Sequence, residues 1–200
     1  TESLAETPEG LVDFAALEAV LRMENDVIAV GPGLGIGPSV SAFIHGLLER
    51  VGTPIILDAD ALNAFVGDVD RLHGRDGLDV VITPHPGEMA RLLGTTVDDV
   101  QANRVEIARQ FAMAHHLHVV LKGYRTVIAT PTGAVFLNLT GNPGMAVGGT
   151  GDVLTGVIAA WSAQLLDADA ACKVAVYVHG MAGDIAEVDK GEISMSASDL

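Results

Sequence analysis

The sequence predicts an α/β fold in three layers, with helices on both faces of a mostly parallel sheet and an antiparallel meander near residues 118–138. Three observations carry that expectation. Hydrophobic residues make up 49% of the 200-residue chain but aromatics only 4%, so the core is built from Ala, Val, Leu and Ile, which suits a sheet buried on both faces. Short apolar runs alternate with stretches of helical periodicity. Three strand-like runs in the second half are joined by connections too short for parallel neighbours.

The elements follow in order. Leu11 to Leu21 reads as a helix, and Val27 to Gly31, Pro54 to Asp58 and Asp79 to Thr83 are short β-branched runs fit for buried strands. Between them Ser39 to Arg50 and Ala61 to Val66 read as crossover helices, and Glu88 opens another over Met89 to Leu93. Asp98 to His115 reads as one helix, with Val100, Val105, Ala108, Phe111 and Ala112 on its buried stripe and Arg104 and Arg109 elsewhere. His118 to Lys122, Thr126 to Thr130 and Ala134 to Asn138 form the meander, the last two joined through Pro131-Thr132-Gly133. Two long helices close the chain. Gly151 to Leu166 aligns Val153, Val157, Trp161 and Leu165, and Asp169 to Val188 aligns Val174, Tyr177, Val178, Met181 and Ile185. With no repeat or long linker, residues 1–200 read as a single domain.

Charge narrows the function. The net charge is −15 and only Lys122, Lys173 and Lys190 are lysines, a surface that repels nucleic acid and anionic membranes. No apolar run approaches the roughly 18 residues of a membrane span. The acidic start, Thr1 to Gly10, is unlike a signal peptide, so the Asn138-Leu139-Thr140 sequon is discounted. The lone Cys172 excludes an internal disulfide and fits a reducing compartment as a small buried helix residue; a cytoplasmic enzyme is expected.

The strongest motif is Gly148-Gly149-Thr150-Gly151-Asp152, directly before a helix. Glycines let the backbone approach a ligand, the helix start offers unpaired N–H groups and the positive end of its dipole, and Asp152 is placed to accept a proton from a hydroxyl held there. A helix cap alone would explain Asp152 but not the glycines. Neither a Walker A loop nor a Rossmann fingerprint is present, since no Gly-Lys pair occurs and Gly31, Gly33, Gly35 and Gly37 merely alternate. These four suggest a wide backbone-lined loop for a flat ligand, beyond what a plain strand-to-helix turn needs. In Thr83-Pro84-His85-Pro86-Gly87-Glu88 the prolines hold Thr83 and His85 extended, so the histidine is presented rather than packed. Glu88 is either a helix-start charge or a group that orders a metal. Lys122-Gly123-Tyr124-Arg125-Thr126 puts two scarce cations at a turn, either for a bound phosphate or as a charged hairpin. Asp58 and Asp60 end a strand with Asn63 one turn on; Asp58 and Asn63 are candidates for ribose or metal-water contacts, and Asp60 for an N-cap. The remaining histidines show no metal-ligand spacing with the cysteine.

Taken in order, Gly-Pro-Gly-Leu-Gly (31–35), Leu-Asp-Ala-Asp-Ala-Leu-Asn (57–63), Thr-Pro-His-Pro-Gly-Glu (83–88), Leu-Lys-Gly (121–123) and the block 141–156 resemble the ADP/ATP-dependent NAD(P)H-hydrate dehydratase family, over nearly the whole chain. The resemblance implies a ribokinase-like fold and the repair of NADHX and NADPHX: a nucleotide phosphorylates the hydrate hydroxyl, and loss of phosphate restores the nicotinamide. It implies Asp152 as base and substrate contact, with Gly33, Gly35 and His85 beside the substrate. It places the nucleotide on Lys122, Gly123, Tyr124, Arg125, Thr126, Gly149, Thr150 and Gly151, and puts Glu88 where relatives order magnesium. Mg²⁺ and ADP, or ATP, are the implied cofactors, with ADP favoured by the bacterial form of the glycine motif. A homo-tetramer and fusion behind an epimerase domain are further implications. Relatives carry an additional N-terminal strand and helices and one more C-terminal helix, which this chain is expected to lack. Two other readings remain: a vitamin-precursor kinase of the same fold using ATP, in which an asparagine more often stands where His85 does, and a non-catalytic nucleotide-binding module.

Overall fold

A computed structural model describes residues 1–165 and 167–200. Its sheet has six strands in the order β1 (Ile28–Val30), β2 (Ile55–Leu57), β3 (Val80–Ile82), β4 (His118–Leu121), β5 (Val127–Ala129) and β6 (Val135–Leu137). Strands β1 to β4 run parallel, and β4–β5 and β5–β6 are antiparallel, as the short connections require. Alternation along each strand supplies both inner faces. Ile55, Leu57, Val80, Ile82, Val119 and Leu121 belong to a core completed by α2 (Pro38–Arg50), α4 (Pro86–Leu93) and α6 (Arg104–His115). Ile56, Val81, Val120 and Ile128 face α7 (Thr150–Leu165) and α8 (Ala168–Lys190), whose Leu154, Ile158, Cys172, Ala175 and Val176 close the other side.

Several sequence expectations change. The first helix is a 3₁₀ turn over Phe14–Ala16 followed by α1 (Leu17–Arg22), and the expected helix 61–66 is the single turn α3 (Asp60–Asn63). The expected helix 98–115 is two, α5 (Val97–Ala102) and α6, broken at Asn103 where φ is −132°. The break turns Arg104 toward the carbonyl oxygens of Leu121 and Lys122, to which it donates at 3.0 to 3.2 Å, and leaves Val105 44% exposed instead of buried.

Both long helices bury most deeply a stripe other than the one the apolar spacing singled out, although Val157 and Trp161 of that stripe pack partly buried against the core. In α7 the buried residues are Thr150, Leu154, Thr155, Ile158 and Ser162; the Leu165 side chain and Leu166 lie outside the described residues. In α8 the buried residues are small: Ala171, Cys172, Ala175, Gly180, Gly183 and Ala186, with Val176 and His179. Tyr177, Val178, Met181 and Ile185 face outward. The two helices pack against each other, and small residues let them lie close to the sheet. No described helix is long and apolar enough to cross a membrane.

Candidate nucleotide and proton-transfer site

The carboxyl ends of β1 to β4 converge on α7, as ligand sites in open α/β sheets do. Gly31, just past β1, crosses Asp58 so closely that a β-carbon would lie 1.7 Å from the Asp58 carbonyl oxygen, so only glycine fits. Asp58 itself is completely buried. Its Oδ1 accepts from Lys122 Nζ at 2.6 Å and its Oδ2 from the Thr155 hydroxyl at 2.7 Å. Lys122 also lies 3.9 Å from Glu88 Oε2. One polar chain thus ties β2, β4, α4 and α7 together beneath the site. Asp58 faces inward and frames the site, against the expectation of a ribose or metal-water contact.

Asp60 is not a cap. Ala59 holds that place with φ 48°, and Asp60 Oδ2 accepts the Gly35 amide at 2.8 Å, fastening the glycine-rich loop. Asn63 donates to Asp60 and accepts from Arg91 Nε at 3.2 Å, so it extends this fastening instead of reaching a ribose. Gly33 and Gly35 both take the left-handed φ (75° and 76°) that glycine alone adopts readily.

His85 is half-exposed, as its flanking prolines foretold, and it caps α4. Nδ1 accepts the amides of Gly87 (2.9 Å) and Glu88 (3.3 Å), so the proton of the neutral ring sits on Nε2. Burial, helped by Lys122 and Arg91 and opposed by Glu88, holds His85 below its ordinary pKa. It is therefore a neutral donor at the site's edge. Glu88 completes a capping box by accepting the His85 amide at 2.7 Å. That is the helix-start role. Among the described residues no three His, Cys, Asp or Glu side chains converge to hold a metal, and Glu88 and Asp58 are already engaged by amide, ammonium and hydroxyl donors.

The start of α7 is the centre of the arrangement. Gly148 and Gly149 are exposed, Gly149 has φ 91°, and Asp152 is exposed in the first turn. The Gly151 and Asp152 amides have no hydrogen-bond partner among the described residues, whereas Thr150 N reaches Val147 O at 3.4 Å and Val153 N bonds Gly149 O at 3.0 Å. Two donors at the positive end of a 16-residue helix therefore stand ready for an anion. The Gly149 amide is likewise without a hydrogen-bond partner among the described residues.

Beside them opens a cavity of about 630 Å³, large enough for a nucleotide. Lys122 to Thr126 line one wall, Thr150, Gly151 and Leu154 the floor, and residues 138–146 with α8 the rest. The Thr150 hydroxyl is buried in this wall with no partner. Arg125 lies 5.2 Å from the Tyr124 ring centre, and Tyr124 is 83% exposed. At about 100° per residue, Asp152 projects roughly 150° around α7 from the cavity-lining residues, so donor cavity and carboxylate occupy opposite sides of one helix start.

Part of this wall was not foreseen. On α8, His179 donates from Nε2 to Thr150 O at 3.1 Å, and Asp184 accepts the Gly141 amide at 3.0 Å and the Asn142 side chain at 3.3 Å. A β-carbon on Gly180 would meet Thr140 Oγ1 at 2.1 Å, and one on Gly183 would meet Met145 Sδ at 2.2 Å. Two glycines inside one helix cost about 1 kcal/mol each, a signal that close approach is required there.

Comparison with known proteins shows the family and the fold. A family model described as NAD(P)H-hydrate dehydratase matches residues 4–200. The bifunctional NAD(P)H-hydrate repair enzyme Nnr of Moorella thermoacetica is 49% identical over 202 residues, covering all of this chain but 38% of that enzyme's length. The ADP/ATP-dependent NAD(P)H-hydrate dehydratase of Bacillus subtilis, co-crystallised with ATP/Mg²⁺, superposes with a TM-score of 0.77 at 36% identity, over 93% of this chain and 64% of that one. A ribokinase-like superfamily protein of Enterococcus faecalis superposes with a TM-score of 0.73 at 30% identity, over 92% and 61%.

Proposed function

This chain belongs to the NAD(P)H-hydrate dehydratase family, and from that premise we propose that it uses ADP to convert NADHX and NADPHX back to NADH and NADPH. The observation that carries the proposal is the unbonded amide of Gly151 at the start of α7, a residue that lines a nucleotide-sized cavity. The nucleotide lies between the Lys122–Thr126 turn and α8, with its terminal phosphate at the start of α7. The hydrate lies across the helix start, beside Gly33, Gly35 and His85.

Phosphoryl transfer needs an aligned hydroxyl, a proton acceptor and charge stabilisation, and little covalent help. Asp152 takes the hydroxyl proton as the hydrate oxygen bonds to the terminal phosphorus of ADP and the phosphoanhydride bond breaks, releasing AMP. The Gly151 and Asp152 amides hold the charge on the transferred group. Phosphate then leaves with the C–O electron pair, the neighbouring carbon loses a proton, and the ring double bond returns. The His85 Nε2–H is a neutral donor for a substrate oxygen. Fusion to an epimerase in a longer parent is part of the same proposal; the name of the Moorella thermoacetica relative supports a second activity in such a parent, and this chain spans 38% of that relative.

Asp152→Asn tests the assignment. A general base contributes about 10²–10⁴-fold, so restoration of reduced-nicotinamide absorbance from NADHX plus ADP should fall by at least that lower bound while the fold persists. Activity above about a tenth of wild type would exclude Asp152 as the base. A stable phosphorylated product, with no return of absorbance, would instead mark a kinase.

A further inference from the structure

The unbonded Gly151 amide is one half of a peptide group whose other half is bonded. Thr150 O and Gly151 N–H belong to the same peptide plane, and Thr150 O accepts from His179 Nε2 at 3.1 Å. His179 comes from the middle of α8, is almost fully buried and lines the cavity. No described residue pairs with the Gly151 amide, and the Thr150 hydroxyl is buried in the cavity wall without a partner.

We infer that His179 is a positioning residue for the nucleotide: by donating to Thr150 O it fixes the Thr150–Gly151 peptide plane and polarises the Gly151 N–H toward the bound phosphate. The inference rests on the nucleotide reading above. A donor at a carbonyl strengthens the N–H of the same peptide group, because hydrogen bonds in a chain polarise one another and do so more in a low-dielectric interior. The bond also fixes the ring tautomer. Nε2 carries the proton and Nδ1 is bare, and burial holds the imidazole below its ordinary pKa, so it stays neutral. Gly180, the neighbour of His179, lets α8 approach closely enough for the bond, since any side chain there would strike Thr140.

The matched pair His179→Gln and His179→Met separates donation from bulk, since both are unbranched and similar in length but only glutamine has an N–H. With ADP and NADHX, the methionine variant should lose about ten- to a hundredfold in kcat/KM, with ADP affinity by calorimetry falling in parallel, and glutamine should recover most of that loss. The Gly151 amide proton should shift upfield in methionine and return in glutamine, which a merely space-filling role would not produce. Equal turnover and affinity in all three proteins would overturn the role of His179 while leaving the nucleotide reading intact. Failure of the wild-type chain to bind ADP would overturn that reading and the inference with it. If the methionine variant does not fold, nitrogen NMR of the wild type decides: protonated Nε2 with bare Nδ1 supports the role, and the opposite tautomer overturns it.

Discussion

Lys122 was expected to meet a phosphate, and it does line the cavity, but its nearest partner is Asp58 at 2.6 Å in the protein interior. Asp58 is fully buried, so its charge depends on that ammonium and on Thr155. Removing one member of a buried pair leaves an uncompensated charge, and Lys122→Met should therefore cost about 3–5 kcal/mol in urea denaturation. A loss below about 1 kcal/mol would show that the pair is solvated and weak. The helix start at the glycine turn was legible because glycine next to a helix start has few other uses. The partners of Asp58 were not, since Lys122 is 64 positions away and Thr155 is 97, and residue type alone does not reveal which groups meet across a sheet.

At the scale of elements, the strands were legible and the faces of the last two helices were not. A strand buried on both sides needs only an apolar run, and each of β2, β3, β4 and β5 has one. In α8 the large apolar residues mark the outward face, because the inward face must lie close to Thr140 and Met145 and tolerates little beyond Ala and Gly. Gly180→Ala tests this directly. In an exposed helix the change would stabilise by about 1 kcal/mol, but here overpacking against Thr140 should destabilise by about 1–3 kcal/mol and weaken ADP binding. A more stable variant with unchanged affinity would mean that α8 has room to spare. The split of the helix expected over 98–115 has a similar origin, since Arg104 reaching the end of β4 is a tertiary contact that periodicity does not record.

Over the whole molecule, pH acts through buried histidines. Burial holds His115, His118 and His179 below the ordinary 6.5. Between that value and their lowered folded values the unfolded chain binds more protons, so stability rises with pH and is lost as pH falls below about 6.5. The urea midpoint should be lower at pH 5.5 than at pH 7.5, and His118→Gln should reduce the difference. A midpoint unchanged or higher at the acidic pH would contradict the burial of these rings. Composition and pattern alone determined the layer order, the parallel-to-antiparallel change after β4 and the place of the glycine turn before α7, because apolar period, connection length and glycine spacing are properties of neighbouring residues. Only the tertiary structure decided that Asp58 faces inward, that the Gly151 and Asp152 amides lack partners among the described residues, and that α8 closes the cavity with Val176, His179 and Gly180. Each of these depends on which distant groups meet, and the free energy of burying a charge or a hydrogen bond is set by the partner and not by position in the chain.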